Sequence, residues 1–320
     1  MPKPIILIGY FGFENLGDDL LLHTFLKRFK SFSDRFQIAV HKKYKIKIKQ
    51  FNRWNFIKFL FILFFQKPIL IYPGGEIFQT KTSFRSLLYY ISFIILARLF
   101  HRKYILAFQG QTKNSLAQKL FNKATHLSIR DSISLPDSVF SIPLENIPDS
   151  TTSSFLFCLK KMSSFNFQIL KSVIVDLMTV YPDKPFYFFP MHRKEDKSVN
   201  KQMAKSINSS QAIFYDWQSD YKKALGVFKK ANFIFSMRYH TSVLASLFQH
   251  PFVSFSQNSK IKQFHKIWSP DNFIENTGAL DFFELKSKIQ QAFRLPPVNI
   301  SIFKELNEKE FQKIETILKG

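Results

Sequence analysis

Two short segments end an apolar run on an arginine. "KATHLSIRD" (123–131) and "KANFIFSMR" (230–238) both read helix end, strand, arginine, which sets Arg130 and Arg238 at the carboxyl ends of strands. Open parallel sheets bind ligands outside those ends. A guanidinium there offers a planar, two-pronged fork to a carboxylate or phosphate. His240 lies two residues beyond Arg238, next to Tyr239, at the start of a helix-like run. An imidazole at that place can hydrogen-bond a phosphate or act as a general acid, and the helix N-terminus adds partial positive charge. His192 follows the strand-like "FYFFPM", and Lys260 adds a further point charge. Near the start, "GYFGFENLGDDLLLHTFLKRF" (9–29) supplies carboxylates at Glu14, Asp18 and Asp19. Any of these can accept a hydroxyl proton, but Asp18 and Asp19 equally suit the first turn of a helix.

Glycine marks the same edge. The chain has nine glycines, where ordinary usage gives about 22. Six fall at Gly9, Gly12 and Gly17, at Gly74 and Gly75, and at Gly110, each group following a strand-like run in the first half. Glycine is required where φ is positive or where a ligand or backbone comes close. Three such places on one sheet edge predict a binding surface. The spacing is neither GxGxxG nor GxxxxGK[ST], which disfavours a dinucleotide enzyme and a P-loop enzyme.

These residues need a repeated strand–helix scaffold. "PIILIGY", "FQIAVH", "PILIYPGG", "KYILAFQGQ" and "HLSIRD" read as strands separated by helix-like runs. After a proline-bearing polar break at 141–154, "SFLFCLK", "PFYFFPMH", "AIFYDW", "NFIFSM" and "PFVSFS" resume the pattern. The fold class is therefore α/β: two doubly wound, Rossmann-like parallel-sheet domains facing each other across a cleft. We place them at residues 1–148 and 149–320, with a final amphipathic helix over 301–319 in the second domain.

Bulk composition narrows the partners. With 46 Lys+Arg against 23 Asp+Glu the formal charge is +23, which attracts phosphorylated substrates, acidic headgroups or nucleic acid. No RRM-like, KH-like or zinc pattern accompanies the charge, which argues against a specific nucleic-acid partner. One cysteine, Cys158, allows no internal disulfide and fits a reducing compartment. The apolar runs at 56–65 and 86–100 are cut by Lys58, Gln66 and Lys67 and by Arg98, so they read as buried core helices rather than spans. Residues 35–75 nevertheless hold nine Lys or Arg and no Asp or Glu, a basic surface suited to an anionic membrane.

Seven motifs in order, from about residue 5 to residue 268, resemble the polysaccharide pyruvyl transferase family. They are "GYFGFENLGDDLLL", "LIYPGGEIFQ", "ILAFQGQ", "LSIRDSIS", "FFPMHRKED", "SMRYHTSVLASLFQHPFVSFS" and "SKIKQF". The chain departs from the family's pattern at Pro73 and Glu76 around the paired glycines, and at Gln257 and Asn258. The resemblance implies a GT-B-like pair of domains, acceptor side first and donor side second. It implies transfer of pyruvate from phosphoenolpyruvate to two hydroxyls of a sugar, giving a cyclic ketal on a surface-polysaccharide or lipid-linked glycan precursor. It sets Arg130, Arg238 and His240 at the donor as catalytic residues. It sets Gly12, Asn15, Gly17, Asp18, Asp19, Gly74, Gly75, Gln109, His192, Tyr239 and Lys260 at substrate. No metal is required, and phosphoenolpyruvate serves as co-substrate in place of a cofactor. The expected place is the cytoplasm, with peripheral contact at the inner face of an anionic membrane. The alternative on the same architecture is a nucleotide-sugar-dependent glycosyltransferase.

Overall fold

The structure is a computed structural model that describes residues 2–41, 48–53, 55–79, 84–130, 134–145, 147–148, 152–218, 220–268 and 270–320. Six strands form the first sheet: β1 (Ile5–Ile8), β2 (Phe36–Val40), β3 (Lys49–Asn52), β4 (Ile69–Tyr72), β5 (Tyr104–Gln109) and β6 (His126–Ile129). All pairs are parallel and the order is β3-β2-β1-β4-β5-β6. The connections carry α1 (Leu16–Arg28), α2 (Phe56–Phe61) with a π-helical continuation (Ile62–Gln66), α3 (Phe84–Leu99) and α4 (Ser115–Phe121). β1 shows why the sheet needs helices on both faces. Ile5 and Leu7 enter one core with Phe25 and Phe29 of the α1 region, while Ile6 and Ile8 enter another with Phe59 and Phe93 of α2 and α3.

The second sheet repeats this winding. β7 (Ser154–Cys158), β8 (Phe186–Phe188), β9 (Ala212–Phe214), β10 (Ala231–Ser236), β11 (Phe252–Ser256) and β12 (Phe273–Glu275) are ordered β12-β11-β10-β7-β8-β9, all parallel. Its helices are α5 (Ser164–Val180), α6 (Arg193–Ile207), α7 (Tyr221–Lys229), α8 (Tyr239–Leu247), α9 (Ser259–Trp268) and α10 (Phe282–Ala292). In each sheet the strand order reverses once, between β1 and β4 and between β7 and β10. The chain leaves the two sides of that point in opposite directions, which opens a crevice at the strand ends.

Two sequence expectations change. The chain divides into Met1–Pro143 with Ser301–Gly320, and Leu144–Ile300, not at 148/149, a point whose second residue lies outside the described residues. The last helix, α11 (Ser301–Lys319), thus belongs to the first unit. Its apolar stripe explains the return: Phe311, Ile314 and Leu318 fill the core beside Phe29 and Phe108. Arg28 fixes the register through Glu308 at 2.6 Å and Glu315 at 3.3 Å.

The helical runs at 56–65 and 86–100 are not buried all round. A helix lying on a sheet has one inward face, and here the outward faces remain apolar, with Ile57, Phe61, Phe65 and Leu99 exposed.

Phe311 is fully buried between Phe29 and Phe108. Phe311→Ala should therefore lower stability by about 3–5 kcal/mol, read from urea unfolding of the full chain. A loss well under 1 kcal/mol would show that α11 rests on the first unit without closing its core.

Candidate functional site at two sets of strand ends

In the second unit, Arg238 follows β10 at the point where strand order reverses, and serves as the N-cap residue of α8. Its guanidinium is held from one side. Nε donates to Asp196 Oδ2 at 3.1 Å and Nη2 to Glu195 Oε2 at 2.7 Å, with a further bond from Nη2 to Asp196 Oδ1. Nη1 makes no hydrogen bond among the described residues. Asp196 is fully buried, whereas Glu195 is exposed. Burial works to lower the Arg238 guanidinium. The hydrogen bonds and charges of Asp196 and Glu195 outweigh burial and hold the group above its ordinary value. Burial likewise works to raise Glu195, but the Arg238 hydrogen bond and the charges of His192, Arg238 and Lys160 leave it below the usual carboxylate range.

His192 enters the same cluster as the N-cap of α6. Its backbone N–H donates to Asp196 Oδ2 at 2.9 Å, and its Nδ1 accepts from the Glu195 N–H at 3.4 Å. The arrangement resembles a capping box, except that the side chain reaching back to the His192 N–H comes from residue i+4, Asp196, rather than i+3. Asn200, one turn further along α6, donates to Leu159 O at 2.9 Å and accepts from Leu159 N at 3.2 Å. The first turns of α6 therefore bind the ends of β7, β8 and β10 together.

His240 lies in the first turn of α8 with its ring 5.3 Å from Tyr239, and Lys260 Nζ stands 4.5 Å over the Tyr239 ring. Behind this turn runs a buried chain of hydroxyls. Ser236 Oγ donates to Arg238 O at 2.9 Å and meets Ser242 Oγ at 3.0 Å. Ser242 meets Ser254 at 2.9 Å, and Ser254 meets His265 Nε2 at 2.8 Å. That chain fixes the backbone presenting Arg238, Tyr239 and His240.

In the first unit, the turns that follow β1 and β4 carry most of the other predicted residues. Gly12, Gly74 and Gly75 all have positive φ. A Cβ on Gly75 would stand 3.6 Å from Asp18 Oδ1, so the turn after β4 lies against the first turn of α1. Asn15 is the N-cap of α1 but makes no side-chain cap; its Nδ2 donates to Asp18 Oδ2 instead. Gly17 and Asp19 are buried within α1, while Gly12, Asn15 and Asp18 are half-buried. Arg53, just after β3, packs on the Tyr89 ring at 4.0 Å and on Phe13 at 5.0 Å. Burial pushes the Tyr89 hydroxyl up to about 12 against the opposing charge of Arg53.

Two sequence candidates are bonded within the first unit. Gln109 is fully buried, and its Nε2 donates to Tyr72 O at 2.9 Å and Ala107 O at 2.8 Å, joining β4 to β5. Arg130 follows β6 as expected, but its buried side chain is ion-paired with the buried Asp137. Asp137 in turn accepts from Val139 N at 3.0 Å, and its carbonyl accepts from Asn307 of α11 at 3.0 Å. Asp131, beside Arg130, lies outside the described residues. Gly110 is a packing glycine, since a Cβ there would run into Glu76 Cγ.

Sequence reasoning missed Glu195, Asp196 and Arg53. The first two carried a usable signal: "HRKED" places an acidic pair three and four residues after a strand-end histidine, as a capping box does. Arg53 had none, because its aromatic partners, Phe13 and Tyr89, come from segments more than thirty residues away on either side.

Residues 15–259 match the family model described as polysaccharide pyruvyl transferase. Gly12 lies just before that match and Lys260 just after it. No sequence among curated proteins matches the chain. Among solved structures, UDP-GlcNAc 2-epimerase from Neisseria meningitidis bound to UDP-GlcNAc superposes with a TM-score of 0.65 at 10% identity, covering 100% of both chains. A putative UDP-N-acetylglucosamine 2-epimerase from Listeria monocytogenes gives 0.61 at 10% identity, over 98% of this chain and 91% of that one. The UDP-GlcNAc 2-epimerase from Methanocaldococcus jannaschii gives 0.57 at 12% identity, over 100% of both. At such identities the likeness shows the fold alone: two Rossmann-like, GT-B-like sheet domains.

Asp196→Asn should destabilise the chain by about 3 kcal/mol in denaturant unfolding, because a buried partner of Arg238 loses its charge. Glu195→Gln should act only above the acid range. Glu195 is held below its unfolded value of about 4.3, so its contribution is present above that pH and lost as pH falls through the folded-state value. The stability difference between wild type and Glu195→Gln should therefore shrink as pH falls below about 4.3; a gap constant from about pH 7 to pH 2 would contradict the assigned ion pair.

Proposed function

The chain belongs to the polysaccharide pyruvyl transferase family and is an enzyme, a transferase; from this premise we propose that it moves pyruvate from phosphoenolpyruvate onto a sugar of a surface-polysaccharide or lipid-linked glycan precursor. Within the second unit, the observation that best supports a donor site is Arg238. It stands at the strand-order reversal with Asp196 gripping one edge and Nη1 turned away from both carboxylates. An incoming carboxylate or phosphate takes the Nη1 edge and displaces the exposed Glu195 from Nη2, while the buried Asp196 keeps the fork oriented. Lys160, whose charge acts on Glu195, and the N-terminus of α8 add further positive potential.

The reaction needs a proton delivered to C3 of the enol and a hydroxyl added to C2. His240, at the first turn of α8, is the proposed general acid. The first sugar oxygen bonds to C2 as its proton passes to a base. A second hydroxyl then bonds to C2 as the C2–O bond to phosphate breaks and its proton passes to the departing phosphate, closing the ketal and releasing inorganic phosphate. Asp18 is the proposed base on the acceptor side, since Asp19 is buried whereas Asp18 is half-buried beside the turn at Gly75. Tyr239, Lys260 and His192 are proposed to border the donor. Gly12, Asn15, Gly74 and Gly75 are proposed to shape the acceptor crevice. Gly17, Gln109 and Arg130 are proposed to hold strand ends in place rather than touch substrate. The arginine, lysine and helix dipole carry the donor charge, with phosphoenolpyruvate as co-substrate. A lipid-linked acceptor would hold the enzyme peripherally at the inner face of a cytoplasmic membrane.

Incubation of the full chain with phosphoenolpyruvate and a panel of glycan acceptors should release phosphate and give a product heavier by one pyruvate ketal. Arg238→Ala should lower kcat/KM by on the order of a hundredfold or more, and His240→Asn should lower kcat by about the same factor. No phosphate release across the panel, together with no thermal shift by phosphoenolpyruvate, would overturn the proposal. Thermal stabilisation by UDP-GlcNAc but not by phosphoenolpyruvate would favour the nucleotide-sugar glycosyltransferase, the alternative that the fold likeness supports.

A further inference from the structure

We propose that the outer surface of α2, its π-helical continuation and α3 is a docking face for membranes bearing anionic phospholipid headgroups. The first two segments carry two apolar stripes. Phe59, Ile62 and Leu63 point into the core, while Ile57 (83% exposed), Leu60, Phe61, Phe64 and Phe65 (64% exposed) point out. The outward set follows i, i+3, i+4, i+7, i+8, one side of a helix. α3 repeats the arrangement, with Phe84, Leu88, Ile95 and Leu99 (68% exposed) outward and Leu87, Tyr90, Ile91 and Ile94 inward. The helices are neighbours on one sheet face: Phe93 of α3 meets Phe56 at 5.5 Å and Phe59 at 4.4 Å, and Phe64 meets Phe100 at 6.1 Å. Outside, Phe65 meets Phe61 at 4.6 Å and Phe64 at 4.9 Å, so exposed aromatics form a cluster. An apolar surface of this extent marks an interaction site rather than scattered exposure.

Charge identifies the occupant. From residue 35 to residue 130 the sequence holds eighteen Lys or Arg and one acidic residue, Glu76. Lys58, Lys67, Arg85 and Arg98 are exposed on or beside the same helices. Next to Phe61 lies a groove of about 350 Å³ lined by Lys49 and Lys58 with the amides of Gln50 and Gln66, a chemistry that fits a phosphate headgroup. A second copy seated on this face would oppose the same cations across a two-fold axis, whereas an anionic bilayer satisfies both the apolar and the cationic parts. The contact is interfacial. No helix among the described residues is long and apolar enough to cross a membrane. The 16 residues of α3 reach only about 24 Å, short of a hydrocarbon core of about 30 Å.

Docking deepens the membrane part of the proposed function and rests on it only for its purpose. It is measured without phosphoenolpyruvate, so either proposal can fail alone. The full chain is sedimented with vesicles of phosphatidylcholine, with and without phosphatidylglycerol. Binding should require phosphatidylglycerol and weaken with salt. The double variant Phe61→Ser with Phe65→Ser should bind about tenfold more weakly or worse. The pair Lys49→Glu with Lys58→Glu should lose the preference for phosphatidylglycerol. Phe283→Ser, an exposed apolar change in the second unit, should bind as wild type does. All substituted residues are exposed, and unchanged thermal melts confirm that the variants fold. Absence of binding to phosphatidylglycerol vesicles at low salt overturns the proposal, as does wild-type binding by the Phe61/Phe65 variant. A wild-type dimer dissolved by that variant, without vesicle binding, assigns the face to a second copy instead.

Discussion

Asp196 is a carboxylate without exposed surface that holds the guanidinium of one strand end and the backbone N–H of another. Removing a charge of this kind from water is costly unless it is paired and hydrogen-bonded. The sequence meets that condition by bringing Arg238 and His192 to the same carboxylate. The arrangement then dictates the rest of the second unit's edge. Arg238 is oriented with one free side, Glu195 is left as an exposed and exchangeable partner, and α8 starts where His240 projects beside Tyr239. The serine chain to His265 secures the same turn from behind.

The first unit reaches a comparable edge by other means. Its strand-order reversal is lined by backbone and small residues, with the positive-φ glycines after β4 letting that turn lie against α1. Its charged groups are mostly committed: Arg130 to Asp137, Arg53 to the faces of Tyr89 and Phe13. The two crevices therefore differ chemically. One presents a cationic fork, and the other presents a carboxylate beside a glycine turn. The proposed division between an anionic donor and a hydroxyl-bearing acceptor rests on that difference.

The parallel winding of both sheets was legible in the sequence, because strands buried on both faces are continuous apolar runs that stop at glycine, proline or arginine. The places of Arg130 and Arg238 followed from it. The edge strands β3 and β12 were not legible: "KQFN" and "FIE" are short and half-exposed, without a pattern to read. Nor were the different surroundings of the two arginines. Arg130 and Arg238 end similar segments and each meets a buried carboxylate, Asp137 or Asp196, but only the fold adds the exposed Glu195 to the second. The amphipathic stripe of α11 announced that the helix would pack on something; which sheet it chose depends on an apolar surface near Phe29 and Phe108 that exists only after folding.

That choice governs the order in which the protein can be made. Residues 144–300 form a contiguous unit, complete once they leave the ribosome. The first unit needs a helix translated after those residues, with Arg28 waiting for Glu308 280 positions later. Until then the face that α11 covers, including Phe29 and Phe108, stays open to other apolar surfaces in the cell. The unit begun before residues 144–300 is therefore finished after them, and a segment remote in sequence, rather than a local step, completes its core.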